Sequence, residues 1–244
     1  MIMRHTGLLS VTFRALPFER IIALAVEAGL DGIEWGGDVH VVPGDLKTAE
    51  RIGQATRDAG LRVYAYGSYW RGDCEPTMIA ETASALGAQW IRVWAGTLGS
   101  SECPPETRRE IAANLRGLCR RCNGLQVAAE WHQNTLTDTA ASASRLLEDV
   151  GEGNFFCYFQ RNARLSDNLS ELASFPKDRI RAVHVQQCEN GQRLPLVEGI
   201  AEWRKLLAEI PAEAPALLEF VKGNSEEQFF EDAKVLRQLA CGGD

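Results

Sequence analysis

No stretch of the 244-residue chain approaches the ~20 consecutive apolar residues that a helix needs to cross a bilayer. An excess of positive charge is missing too. Lys and Arg number 26 against 33 Asp and Glu, a formal net charge of −7, so the chain has no electrostatic footprint for nucleic acid or an anionic membrane surface. Met1 to Leu9 carries Arg4 and His5 but no apolar segment followed by a small-residue cleavage site. The expectation is a cytoplasmic protein whose partner is a small molecule; a homo-oligomer is compatible with this, but no pattern in the chain argues for one. Cysteine occurs seven times, an odd number at irregular spacing, which is not a disulfide framework. Cys119 and Cys122 form a Cys-x-x-Cys within a helical pattern, and no second pair completes a zinc site. Histidine occurs four times. No linker, low-complexity tract or charge block interrupts the chain, which leaves residues 1–244 as a single domain.

What the chain does have is alternation. Apolar runs of strand length fall at Gly7 to Thr12, Gly32 to Trp35, Arg62 to Tyr66, Trp90 to Trp94, Leu125 to Glu130, Phe155 to Gln160, Ile180 to Gln186 and Ala216 to Phe220. Between and after them, helical periodicity runs over Phe18 to Ala28, Asp45 to Ala59, Thr77 to Leu86, Pro104 to Arg121, Thr137 to Val150, Asp167 to Ala173, Ile200 to Leu207 and Ser225 to Leu239. Gly29, Gly60, Gly87 and Gly124 follow helices where C-caps are expected, each just before a strand. Eight strand-helix units in a chain close to the ~250 residues of one barrel predict an α/β fold, a (β/α)8 TIM barrel.

Four residues able to bind a metal, Glu130, Gln160, His184 and Glu219, each stand at or near the end of one of these strands. In such a barrel the C-terminal strand ends converge on one mouth, where active sites lie. A carboxylate ending a buried strand is costly unless paired or ligated, which favours a functional reading of Glu130 and Glu219 over rim residues paired with an arginine.

The order and spacing of Ala28-Gly-Leu-Asp-Gly-Ile-Glu34, Ala59-Gly-Leu-Arg-Val63, Leu86-Gly-Ala-Gln-Trp-Ile91, Ala129-Glu-Trp-His132, Val183-His-Val185 and Leu218-Glu219 carry a resemblance. From about residue 7 to 240 the chain resembles the xylose isomerase-like barrels, also called the sugar phosphate isomerase/epimerase family. The resemblance implies one divalent ion held by a Glu, an Asp, a His or Gln, and a Glu, and it places Glu130, Gln160, His184 and Glu219 on those positions. Two residues depart from the pattern: Gln160 stands where Asp is usual, and Ala163 where a His commonly follows. An amide oxygen can coordinate a hard cation but removes one negative charge from the site. The set suits Mn²⁺ or Mg²⁺, with Zn²⁺ or Co²⁺ as alternatives.

An ion on two adjacent sugar oxygens would polarise the carbonyl and stabilise the enediolate left when a carbon-bound proton is removed. Glu130 and Glu219 could flank the substrate as general base and acid, the role the resemblance implies for them. The reaction expected is therefore isomerisation or epimerisation of a keto-sugar or cyclitol. The nearest alternative is a metal-dependent lyase of the same fold, as in the inosose and dehydroshikimate dehydratases, which needs a group to protonate a leaving hydroxyl: His132, Tyr66 or His40. A barrel that binds sugar without catalysis is the third reading, favoured by Gln160 and Ala163.

Around the mouth, His132 lies two residues beyond Glu130 and so shares its face of an extended chain. His40 sits in a glycine-rich loop after the second strand. Tyr66 and Trp94 are strand-end aromatics suited to stack on a carbohydrate ring. Glu34, by resemblance, contacts substrate, and Arg161 is a candidate for a substrate anion. Arg92, in mid-strand, reads as half of a structural ion pair.

Overall fold

The computed structural model describes residues 3–122, 124–162 and 167–242. Its strands are β1 (Thr6–Leu9), β2 (Gly32–Gly36), β3 (Arg62–Gly67), β4 (Trp90–Val93), β5 (Gln126–Glu130), β6 (Phe155–Gln160), β7 (Ile180–Val185), a short pair β8 (Cys188–Glu189) and β9 (Gln192–Arg193), and β10 (Ala216–Leu218). β1 to β7 and β10 form a closed, all-parallel barrel in the order β1-β10-β7-β6-β5-β4-β3-β2. The helices are α1 (Phe18–Glu27), α2 (Leu46–Asp58), α3 (Thr77–Leu86), α4 (Pro105–Arg121), α5 (Ala140–Val150), α6 (Asn168–Ser174), α7 (Ile200–Glu209) and α8 (Glu226–Ala240). The strand-helix alternation read from the sequence is thus the architecture of the described residues. No helix among them is long and apolar enough to cross a membrane.

Local chemistry sets the boundaries. Asp45, Thr139, Asp167 and Ser225 accept from the backbone N–H three residues on and so begin α2, α5, α6 and α8. Gly87 ends α3 in the left-handed conformation, at φ 73° and ψ 32°. Inside α2, a Cβ on Gly53 would lie 2.0 Å from the Leu86 carbonyl oxygen, so only glycine lets α2 pack this closely on the end of α3.

The first and last barrel strands stop earlier at the mouth than hydropathy suggests, because side chains there bind neighbouring backbone. β1 gives way after Leu9 to a 3₁₀ turn, Ser10–Phe13, whose Ser10 Oγ accepts from Gly36 N at 2.8 Å and Thr12 Oγ1 from Phe220 N at 3.0 Å. Phe220, expected in the last strand, lies beyond it at φ 52°, which breaks the extended chain directly after Glu219. Thr137, expected to open the fifth helix, instead donates its hydroxyl to the Glu130 carbonyl at 2.5 Å, and α5 begins at Ala140.

Two apolar layers result. Outside the sheet, side chains pack against the helices; along the barrel axis, Tyr64, Trp90, Tyr158 and Leu217 are accommodated by the small Ala65, Ala128 and Ala182. The register of β2 on β3 slips by one residue: Ile33 pairs with Val63 but Glu34 with Ala65. This bulge puts Tyr64 on the axis and turns Tyr66 into the outer layer.

Candidate active site and metal centre

Six strand ends bring charged or polar side chains to one point above the axial aromatics. His184 Nδ1 lies 3.4 Å from Glu130 Oε1, 3.9 Å from Glu219 Oε2 and 3.4 Å from Gln160 Oε1. The four candidate ligands therefore meet, and ligand atoms of Glu130, His184 and Glu219 all fall within 4.8 Å of one another. Below them Glu34, fully buried, accepts from Tyr158 Oη at 2.6 Å and Arg92 Nε at 3.0 Å, and lies 3.4 Å from His184 Nε2. Tyr158 in turn accepts from Trp90 Nε1. The Arg92 guanidinium also reaches Glu130 Oε2 at 3.1 Å, where Trp94 Nε1 donates at 2.8 Å.

With the imidazole neutral, three carboxylates and one guanidinium leave this buried cluster with a net charge of −2. The protein answers by drawing in protons. Burial alone would lower the His184 pKa, but Glu219, Glu34 and Glu130 outweigh it and raise it to about 10. Burial, reinforced by Glu130, raises Glu219 to about 7 despite the attraction of His184. Glu130 goes the other way: burial opposes its ionisation, yet Arg92 and His184 bring it down to about 2. Glu34 is likewise lowered against its burial, by His184, Arg92 and Tyr158. Arg92, opposed by burial, is raised by Glu130 and Glu34.

A divalent cation would neutralise such a cluster without protons, and the donors fit one. Ligands about 2.1 Å from a common ion at right angles stand about 3 Å apart. One terminal atom of the Gln160 amide is 2.8 Å from Glu130 Oε1 and 3.1 Å from Glu219 Oε2. The set would hold Mn²⁺ or Mg²⁺ through carboxylate, amide and imidazole, with Glu34 behind the imidazole as the supporting carboxylate of a carboxylate–histidine–metal unit.

Over the cluster opens a cavity of about 380 Å³, lined among others by Arg92, Trp94, Glu130, His132, Gln160, Arg161 and Glu219. His132 is fixed there. Its ring stacks on Trp94 at 4.5 Å and 18°, and Arg71 covers Trp94 at 3.8 Å. His132 Nδ1 lies 2.6 Å from the Gln133 carbonyl oxygen, which can only accept, so this nitrogen carries a proton and Nε2 is the atom left for exchange with substrate. Arg161 also lines the cavity, tied to Glu202 at 2.8 Å and to the Cys188 carbonyl at 3.1 Å.

Three expected substrate contacts lie elsewhere. Glu34 is beneath the cluster, sealed from the cavity by the groups it binds. Tyr66 is turned outward by the β3 bulge, its hydroxyl buried without a hydrogen-bond partner among the described residues. His40 is buried edge-to-face against Trp35 and contacts the Leu16 carbonyl at 3.1 Å. Ala163 lies outside the described residues. Arg92, read as a structural ion pair, makes that pair and also lines the cavity. Sequence reasoning passed over Gln186, whose Nε2 donates to Glu219 Oε2 at 3.0 Å; its place two residues beyond His184, on the same strand face, was the available signal.

A family model described as "Xylose isomerase-like TIM barrel" matches residues 22–239. A 3-dehydroshikimate dehydratase of Bacillus anthracis is 27% identical over 267 aligned positions, covering 94% of this chain and 95% of that protein. Among solved structures, a probable 3-DHS dehydratase from Bacillus anthracis superposes with a TM-score of 0.79 at 23% identity, over 96% of this chain and 98% of that one. A 3-keto-D-glucoside 4-epimerase from E. coli gives 0.72 at 18% identity, over 96% and 99%. A xylose isomerase-like TIM barrel protein from Mycobacterium smegmatis in complex with magnesium gives 0.74 at 16% identity, over 98% and 97%. At these identities the structural likenesses speak for the fold.

Proposed function

The chain belongs to the xylose isomerase-like TIM barrel family, and on that premise we propose that it is a divalent-metal-dependent dehydratase acting on a polyhydroxylated keto acid of the dehydroshikimate type. The observation that carries this reading is an asymmetry between the two carboxylates. Glu130 has both oxygens engaged, Oε2 by Arg92 and Trp94, Oε1 toward His184 and Gln160. Glu219 is held at Oε2 alone, by Gln186 and His184, and its Oε1 has no partner among the described residues. A two-base epimerisation needs two free carboxylates, whereas an elimination needs one base and one acid. Glu219 Oε1 is the base, taking the proton next to the ketone. His132 delivers a proton, taken up from solvent at Nε2, to the departing β-hydroxyl as the C–O bond breaks and water leaves; Glu219 then returns the abstracted proton to solvent, so both residues are restored.

A bound Mn²⁺ or Mg²⁺ supplies the electrophile that stabilises negative charge on the carbonyl oxygen. Gln186 orients Glu219 for abstraction, and the stack of Arg71, Trp94 and His132 holds the imidazole in place. Arg161, at the rim, faces the substrate carboxylate. The 27% identity to a curated 3-dehydroshikimate dehydratase across nearly the whole of both chains supports the same choice.

Isomerisation or epimerisation of a keto-sugar is the second reading, favoured by the meeting of Glu130 and Glu219 at one point. It shares the first step and differs only in where the proton returns. Incubation with Mn²⁺ and 3-dehydroshikimate in deuterated water separates the two. Loss of one water by mass spectrometry supports the dehydratase. Deuterium at the α-carbon without loss of water supports the isomerase. In His132→Asn the dehydratase reading expects dehydration to slow by about 10²-fold while α-exchange persists; unchanged dehydration removes His132 from the mechanism.

A further inference from the structure

The Gln160 amide can face the cluster in two ways. One terminal atom lies 2.8 Å from Glu130 Oε1 and 3.1 Å from Glu219 Oε2, both acceptors, and 3.4 Å from His184 Nδ1. As nitrogen it donates to both carboxylates; as oxygen it sets a third group of lone pairs beside them, an arrangement that a shared cation favours. We propose that Gln160 is a two-state metal-site residue: its amide nitrogen bridges Glu130 and Glu219 in the metal-free protein, and the amide turns over to present Oε1 as a ligand when a divalent ion binds. This rests on reading the cluster as a metal centre.

Three features support the device. The amide torsion is soft and roughly two-fold, so the exchange of nitrogen for oxygen needs no backbone movement. Gln160 ends β6, paired with His184 of β7, so strand pairing fixes where the amide stands in both states. The neighbouring amide of Gln186 is already committed to Glu219 Oε2, which leaves the bridge to Gln160. An acidic residue at position 160 has only acceptors when ionised and would leave the metal-free cluster with converging carboxylates and nothing to bridge them. The neutral amide keeps the metal-free site assembled at the cost of ligand charge, and so makes loading readily reversible.

The test is an isosteric pair, Gln160→Glu and Gln160→Met, compared with wild type by melting temperature after chelation and by calorimetric Mn²⁺ titration. Gln160→Glu should melt lower without metal, by about 3–8 °C for a loss of a couple of hydrogen bonds to charged groups, and bind Mn²⁺ about tenfold or more tightly, with its stability restored by the ion. Gln160→Met should lose on both counts. The opposite signs in the Glu variant are what a purely packing role for Gln160 would not produce. Metal-free Gln160→Glu melting with wild type would overturn the bridge and leave the metal centre standing; wild type that takes up no Mn²⁺ would overturn both.

Discussion

The barrel buries an arginine at each end, and the two are held in opposite ways. Arg4, at the N-terminal end of β1, donates only to neutral acceptors: Nη1 to the Pro211 and Ala214 carbonyls at 2.9 and 2.5 Å, Nη2 to those of Leu207 and Ile210 at 2.8 and 2.9 Å. These carbonyls close the C-terminal end of α7 and its following turn, where the helix dipole favours a cation. Burial lowers the pKa of Arg4 to about 10. Arg92, at the mouth, lies between Glu34 and Glu130 and is raised instead. The closed end satisfies its charge with dipoles and asks for no partner. The open end gathers more negative charge than Arg92 can balance, which is the arrangement of a site completed by a ligand. Buried charge therefore marks function here only where like charges converge beyond what the surrounding dipoles and counter-charges can balance.

The sharpest way to break this contrast is to change one charge at each end. Glu219→Gln keeps the shape of the mouth and removes the base; turnover should fall by about 10²–10⁴-fold. The melting temperature of the metal-free form should change little, because the neutral amide keeps an oxygen to accept from Gln186 and Gln160 while the cost of a buried carboxylate is removed. Retained turnover in both Glu219→Gln and Glu130→Gln would sink proton abstraction at this cluster. Arg4→Met should do the reverse, costing about 3–5 kcal/mol as four charge-assisted hydrogen bonds are lost and buried carbonyls are left bare, while the Mn²⁺ dissociation constant stays at its wild-type value. A change in metal affinity in Arg4→Met would mean that the two ends are coupled.

Metal removal offers a gentler version. At Mn²⁺ a hundredfold above its dissociation constant, binding stabilises the fold by about 2.7 kcal/mol. Differential scanning fluorimetry with and without chelator should show that gain in wild type, the same gain in Arg4→Met, and none in His184→Ala. Distant independent sites add, so unequal gains in wild type and Arg4→Met would argue against the separation.

The alternation of strands and helices, and the four residues that meet at the mouth, were legible in the sequence because strand periodicity and hydrophobicity fix both the fold and which strand ends converge. Glu130, Gln160, His184 and Glu219 needed only that. What was not legible depends on single residues of register. The slip between Glu34 and Ala65 reverses the facing of Tyr66, and no property of Arg62-Val-Tyr-Ala-Tyr66 announces it. His40 lies on a loop, where no periodicity gives direction. Glu34 was placed at the right strand end, but its depth below the ligands depends on how Arg92, Tyr158 and His184 cross the barrel. The β8–β9 hairpin had its signal in Asn190-Gly191, a dipeptide suited to a tight turn, with Asn190 at φ 50° and Gly191 at φ 76°.

Tyr66 gives the smallest and most discriminating prediction. Its hydroxyl is buried, has no hydrogen-bond partner among the described residues, and presses toward Gly37, where a Cβ would come within 2.8 Å of it. From the sequence it was a substrate contact; from its place in the outer apolar layer it is a polar atom in an apolar setting. The two readings differ in sign. As a substrate contact, Tyr66→Phe should weaken binding about tenfold or more, the usual consequence of losing a hydrogen bond to substrate. As a buried unpaired hydroxyl, its removal should raise the melting temperature by about 1–3 °C and leave kcat/KM within about twofold of wild type. A stabilised, fully active Tyr66→Phe would place the boundary of the functional cluster inside the sheet, at the axial face that Glu34, Arg92 and His184 share.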